Sequence, residues 1–287
     1  MRALLEAGHK VNALARKRPA DLPAGVRFFE WSAGESEPPV ESLKGADAVV
    51  HLAGEPVAQR WTPEAKKRIR GSRVDGTRHL VNALSTESRR PQVLISSSAV
   101  GIYGSRGDEV LTERSRAGSE FLAQLALEWE QAAGLAEALG IRVVCLRIGV
   151  ILADDGGALA KMLPPFRFGV GGRLGSGRQW MSWIHVDDVV RLILFALERA
   201  DVSGAMNAVA PNPVTNAEFT KALAGALHRP AIFPVPKLAL RMLFGEMAGM
   251  LLGSQRVIPE AAKAAGFTFH YMQLGPALRR LLGDEAQ

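Results

Sequence analysis

Short apolar runs alternate with longer amphipathic stretches through the first half of this chain, and no other feature narrows its fold so far. The runs are "VRFFEW" (26–31), "ADAVVHLAG" (46–54), "QVLISSS" (92–98) and "RVVCLRIG" (142–149). Nearly unbroken apolar strands belong to a parallel sheet covered on both faces, because neither face meets water. Helices are expected at 62–84 and 118–139, the first opened by Thr62 as cap, Pro63 in the first turn and Glu64. Strands separated by helices of that length give an α/β fold, Rossmann-like and doubly wound around a parallel sheet.

The first residues add a condition. "MRALLEAGHKVNALARK" (1–17) reads as the tail of a helix, a stop at Gly8, a strand Lys10–Ala15 and the basic pair Arg16 and Lys17. That is the second half of a βαβ unit. Neither G-x-G-x-x-G in strand–turn–helix context nor G-x-x-x-x-G-K-[ST] follows, and the glycine-rich stretch 169–177 has the wrong spacing. The expected sheet therefore lacks its first strand and glycine turn. Those are expected upstream of Met1, which then falls inside the first helix.

Beyond about residue 150, glycine and proline punctuate the chain. Helices are expected at 157–166, 186–199, 216–227, 237–252 and 274–282, with a strand at 205–210. This is a smaller C-terminal α/β lobe interleaved with the last strands. The expected division is a dinucleotide-binding domain over 1–235, with substrate-side elements from about 150, and a small helical domain over 236–287.

Bulk properties exclude several classes. No apolar run reaches the length of a membrane span, and no secretory leader pattern is present. The single cysteine, Cys145, lies within an apolar strand, which excludes a disulfide framework and suits a reducing, cytoplasmic location. The net charge of +6 is dispersed, its densest cluster being "AKKRIRGSR" (65–73). No nucleic-acid module or metal-ligand pattern accompanies it. The expected partner is an anionic small molecule, with neither nucleic acid nor a membrane; a homodimer is left open.

Three stretches suggest chemistry. Arg16 and Lys17 end the second strand, where an acidic residue would bind the ribose of NAD; cations there suit the 2′-phosphate of NADP. A solvated loop is the alternative. "HLAG" (51–54) ends the next strand with small residues that let a ligand lie against backbone, or simply forms a tight turn. "LISSSAVGIYG" (94–104) ends another strand with Ser96, Ser97 and Ser98, hydroxyls that can polarise a carbonyl or merely terminate the strand.

"SSSAVGIYG", "LRIGVIL" and "WIHVDDVV" resemble signature segments of the extended short-chain dehydrogenases/reductases, the NAD-dependent epimerase/dehydratase superfamily. "GGALAKMLPPFRFGVGGRLGSGRQWMSWIHVDD" and "FGEMAGMLLGSQRVIPEAAKAAGFTF" resemble, more narrowly, an atypical epimerase-like family. That family ends in a domain of unknown function, and some members carry a cell-division-inhibitor label. The resemblance spans essentially the whole chain. It implies that Arg16, Lys17, Leu52, Ala53, Gly54 and Arg73 face an NADP cofactor and that Ile151 lines its nicotinamide end. Ser96 and Ser97 join the cofactor side, and Ser98 falls at the superfamily's catalytic serine or threonine.

The superfamily's Y-x-x-x-K is absent. Phe121 and Leu125 stand roughly where Tyr and Lys would be, and neither can move a proton. Tyr103, Glu113, Glu130 and His185 remain as proton-transfer candidates, with Tyr103 set beside Ser98 as the expected catalytic pair; His185 reads first as a loop anchor. The implied function is an NADP-dependent oxidoreductase or epimerase acting on an unknown small molecule. The alternative is a non-catalytic NADP-binding sensor.

Overall fold

The computed structural model describes residues 1–154 and 156–283, so the last four residues of the expected segment 236–287 lie outside it. In chain order come α1 (Arg2–Glu6), β1 (Asn12–Ala15), β2 (Arg27–Glu30), α2 (Val40–Leu43) and β3 (Ala48–His51). Next are α3 (Pro63–Arg70), α4 (Gly76–Thr86), β4 (Val93–Ala99), β5 (Val110–Leu111), α5 (Phe121–Gly134) and β6 (Arg142–Ile148). The second half holds β7 (Val150–Leu152), α6 (Gly157–Arg167), β8 (Trp180–Met181), β9 (Trp183–His185), α7 (Val186–Glu198) and β10 (Gly204–Ala208). Then follow β11 (Val214–Thr215), α8 (Asn216–Ala226), α9 (Lys237–Phe244), α10 (Ala248–Leu252), β12 (Arg256–Val257), α11 (Glu260–Ala264) and α12 (Leu274–Leu282).

The central sheet is parallel and runs β10-β6-β4-β3. β1 and β2 form a separate parallel pair. No ladder joins β1 to β3 among the described residues, and that is where the expected first strand would pair. Strand alternation explains the apolar runs. Val93 and Ile95 of β4 face one way, onto Val189, Leu192 and Ala196 of α7. Leu94, between them, faces the other way with Val143 and Cys145, onto Leu80 and Leu84 of α4 and Ala133 of α5. Every position of β4 from Val93 to Ser98 therefore leaves water, at about 25 cal/mol per Å² of apolar surface.

Two expected helices prove interrupted. The helix over 62–84 carries a π-helical turn, Gly71–Asp75, between α3 and α4. The stretch 237–252 breaks at Gly245, whose φ of 60° a side chain would resist, and continues through a 3₁₀ turn into α10. The C-terminal stretch shares the cores of the rest. Phe267 and Phe269 join the cluster under α7, Leu274 and Leu278 pack with Phe219 and Leu223 of α8, and β12 pairs with β5.

Candidate active site

At the carboxyl end of the central sheet, Ser98 of β4 stands in register with Arg147 of β6. The Ser98 hydroxyl donates to Glu130 Oε1 of α5 at 2.6 Å. Arg147 grips the same carboxylate with both arms, Nε to Oε1 and Nη2 to Oε2, each at 2.8 Å. A bidentate fork of this kind fixes geometry as well as charge. Both side chains are largely buried, so each charge depends on the other. Burial works against the charge on Arg147, but its hydrogen bonds to Glu130 and that residue's charge prevail and raise its pKa.

The third arm of Arg147, Nη1, donates to the Tyr103 hydroxyl at 3.0 Å and to the Glu113 carbonyl at 3.1 Å. Tyr103 donates in turn to Asn207 Oδ1 of β10 at 2.6 Å, and the Asn207 amide donates to Glu113 Oε1 at 2.8 Å. Glu113 Oε2 is buried without a hydrogen-bond partner among the described residues. Tyr103 is fully buried, and desolvation raises its pKa against the pull of Arg147. A sealed, neutral phenol already donating to Asn207 holds the network together and has no proton to accept. The expected pairing of Ser98 with Tyr103 is thus indirect, running through Glu130 and Arg147.

Beside this cluster lies a cationic rim. Arg16 and Lys17 follow β1 and are exposed, Arg16 reaching Glu55 at 3.4 Å. Arg73 rises from the π turn, with Nη1 bound to the carbonyls of Glu55 and Ile69 and its guanidinium 5.2 Å from the Trp129 ring centroid. Burial pulls its pKa down to about 10, with Glu55 opposing. Its Nε and Nη2 donate to nothing among the described residues. A Cβ at Gly54 would come within 3.0 Å of that guanidinium, so glycine keeps the space above it clear. The π turn also presents Ser72, whose hydroxyl accepts the Glu55 amide at 2.9 Å and pins the 52–57 loop. Leu52 is exposed, Ala53 half-buried, and Ile151 half-buried in register with Ile184. Cleared space with unengaged cationic donors suits the phosphates of a dinucleotide.

Other expected residues work inside the fold. The Ser97 hydroxyl donates to the His51 carbonyl at 3.1 Å, stitching β4 to β3, and the buried Ser96 hydroxyl turns to the Ser97 carbonyl. Both serve the sheet rather than present a hydroxyl at its rim. His185 accepts the Asp187 amide as the cap of α7 and stacks on Tyr271 at 3.6 Å, which is the loop-anchor role. Phe121 packs edge-on against Trp61, and Leu125 is buried beside Ile69 and Trp129. The positions expected to have lost Tyr and Lys are packing positions here.

The profile described as the NAD dependent epimerase/dehydratase family matches residues 1–209. The chain belongs to that family. A domain of unknown function matches residues 235–281. The epimerase family protein YfhF of Bacillus subtilis is 39% identical over 282 residues, covering 98% of this chain and 92% of that protein. A chloroplastic SDR39U1 homolog from Arabidopsis thaliana is 46% identical over 242 residues, covering 84% and 70%. Among solved structures, human epimerase family protein SDR39U1 with NADPH superposes with a TM-score of 0.87 at 34% identity, covering 98% of this chain and 93% of that one. Within this epimerase-family chain, sequence reasoning missed Arg147 and Asn207. Arg147 was visible as a cation within a strand whose one other charge, Arg142, stands at its first position, and burial tolerates such a residue only with a partner. Asn207 gave no such signal.

Proposed function

We propose that the protein binds NADP at the carboxyl rim of its sheet and acts as an NADP-dependent oxidoreductase or epimerase on a small molecule. The carrying observation is the Ser98–Glu130–Arg147 cluster at the carboxyl ends of β4 and β6, with Arg73 lying over Trp129, the residue before Glu130 on α5. Arg16, Lys17 and Arg73 would hold the phosphates, with Gly54 leaving room for them, and the bound cofactor would give or take a hydride at its nicotinamide. The human relative crystallised with NADPH supports this choice of dinucleotide.

Ser98 orients the reacting hydroxyl or carbonyl. Its own proton already points at Glu130, so a substrate hydroxyl can donate to the serine oxygen while the serine donates to the carboxylate. Arg147 keeps that carboxylate in place. Glu130 therefore supplies, through Ser98, the proton acceptor that Tyr supplies elsewhere in the superfamily.

The test is to incubate the protein expressed from its gene with NADPH or NADP and panels of aldehydes and sugar nucleotides, following nicotinamide absorbance. Ser98→Ala should lower kcat by about 10²–10⁴-fold while leaving NADPH affinity unchanged. Uptake of neither NADPH nor NADH, or cofactor binding with no turnover on any panel, would reject the reading.

A further inference from the structure

Two strips of surface lie side by side in the C-terminal lobe. Residues 168–175 run along 230–235: the Val235 amide donates to the Arg173 carbonyl at 2.9 Å and the Gly175 amide to the Val235 carbonyl at 2.8 Å. A Cβ at Gly172 would land on the Phe233 carbonyl oxygen, so the backbones touch. Helix α9 continues the second strip from Lys237, beside Gly175.

This region is apolar and exposed together. Phe168 is 83% exposed, Ile232 72%, Leu238 68% and Met242 67%. Soluble surfaces rarely gather large apolar side chains in this way without a partner. The same strips carry one sign of charge. The strips themselves carry Arg173, Lys237 and Arg241 and no carboxylate, and the helices beside them bring the lysines and arginines of residues 161–178 and 219–245 to eight, with Glu218 and Glu246 bounding the second stretch. None of these eight cations has an ion-pair partner among the described residues. Between the strips opens a cavity of about 440 Å³, walled by Arg173, Lys221, Thr220, Ile232 and Pro234.

From these features we propose that this face docks on an anionic phospholipid surface. Phe168, Ile232, Leu238 and Met242 enter the interfacial layer, and Arg173 and Lys221 receive a headgroup phosphate in the cavity between them. A second copy fits poorly, because a self-contact would set Arg173, Lys237 and Arg241 against their own copies with no carboxylate within the strips to answer them. The exposures favour a lipid layer over a folded partner: side chains this free protrude as separate tips, which a fluid layer accommodates without a matching surface. The contact is peripheral, since no helix among the described residues is long and apolar enough to cross a membrane. The sequence-based expectation of no membrane partner rested on the absence of a span, and exposure is not visible in sequence. The proposal stands independently of the reaction.

Flotation with mixed phosphatidylglycerol–phosphatidylcholine vesicles and with pure phosphatidylcholine vesicles tests it. Binding is expected to the mixed vesicles alone and to weaken as salt rises. Arg173→Ala and Lys221→Ala should each weaken it about five-fold. The exposed double variant Leu238→Ser/Met242→Ser should weaken it about ten-fold or more at low salt, with an unchanged unfolding temperature. No binding to mixed vesicles, or binding indifferent to that double variant, overturns the proposal. Two further outcomes also overturn it. One is a dimer that the double variant splits and that ignores vesicles, which assigns the face to a second copy. The other is capture by polyglutamate in place of vesicles, which assigns it to an acidic protein.

Discussion

Glu130 accepts a hydrogen bond from Ser98 on one oxygen and is gripped on both by Arg147. Removing one partner of such a buried pair strands the other charge. Arg147→Met is therefore expected to cost about 3–5 kcal/mol in urea denaturation, and Glu130→Leu a similar amount. The double variant should recover most of that loss, because two apolar side chains leave no stranded charge. Its failure to recover would mean that the pair's wider contacts, not its charge balance, hold the strand ends together. His51 offers a second residue-scale check. Buried against Thr77 and Trp31, it has its pKa lowered by desolvation to about 4. The folded state thus resists protonation that the unfolded chain accepts near pH 6.5. The His51 contribution is complete above that value. It falls as pH drops toward about 4, by at most about 1.4 kcal/mol per pH unit, and is flat below. Stability measured from pH 7 to pH 4 should show this slope in the parent and lose it in His51→Gln.

At the scale of elements, the sequence marks starts better than interruptions. Thr62 caps α3 by accepting the Ala65 amide, as its place before Pro63 suggests. Thr215 and Glu218 close a reciprocal capping box at the start of α8. Thr215→Ala should cost about 1 kcal/mol, read as a lower unfolding temperature, and Thr215→Ser much less. The π turn within the expected helix 62–84 was not legible. An inserted residue changes which side chains face inward only once the 52–57 loop docks on it, through Ser72 and Arg73. The break at Gly245 carried a signal, since glycine at a positive φ ends helices, but glycine inside a helix also occurs without a break.

Across the whole molecule, β1 and β2 stand apart from the four-stranded sheet as a parallel pair of their own. A two-stranded piece has little stability of its own. Hydrogen exchange should therefore find the slowest amides in β4 and β6, which have neighbours on both edges, and faster exchange in β1 and β2. Equal protection in both pieces would mean that they unfold as one unit. The C-terminal stretch should exchange with the body rather than alone, because its aromatic residues lie in the shared core clusters.

The α/β class and the parallel strands were legible in the sequence, because burial on both faces forces unbroken apolar runs; Ser98 and Arg73 were singled out there by the family resemblance. Which side chains meet was not legible there. Ser98, Glu130, Arg147, Tyr103 and Asn207 come from five separate places in the chain, and only packing decides that one carboxylate answers two of them. The same holds for the basic apolar strips: periodicity reports which residues can be buried, while tertiary structure alone decides which ones are left in water.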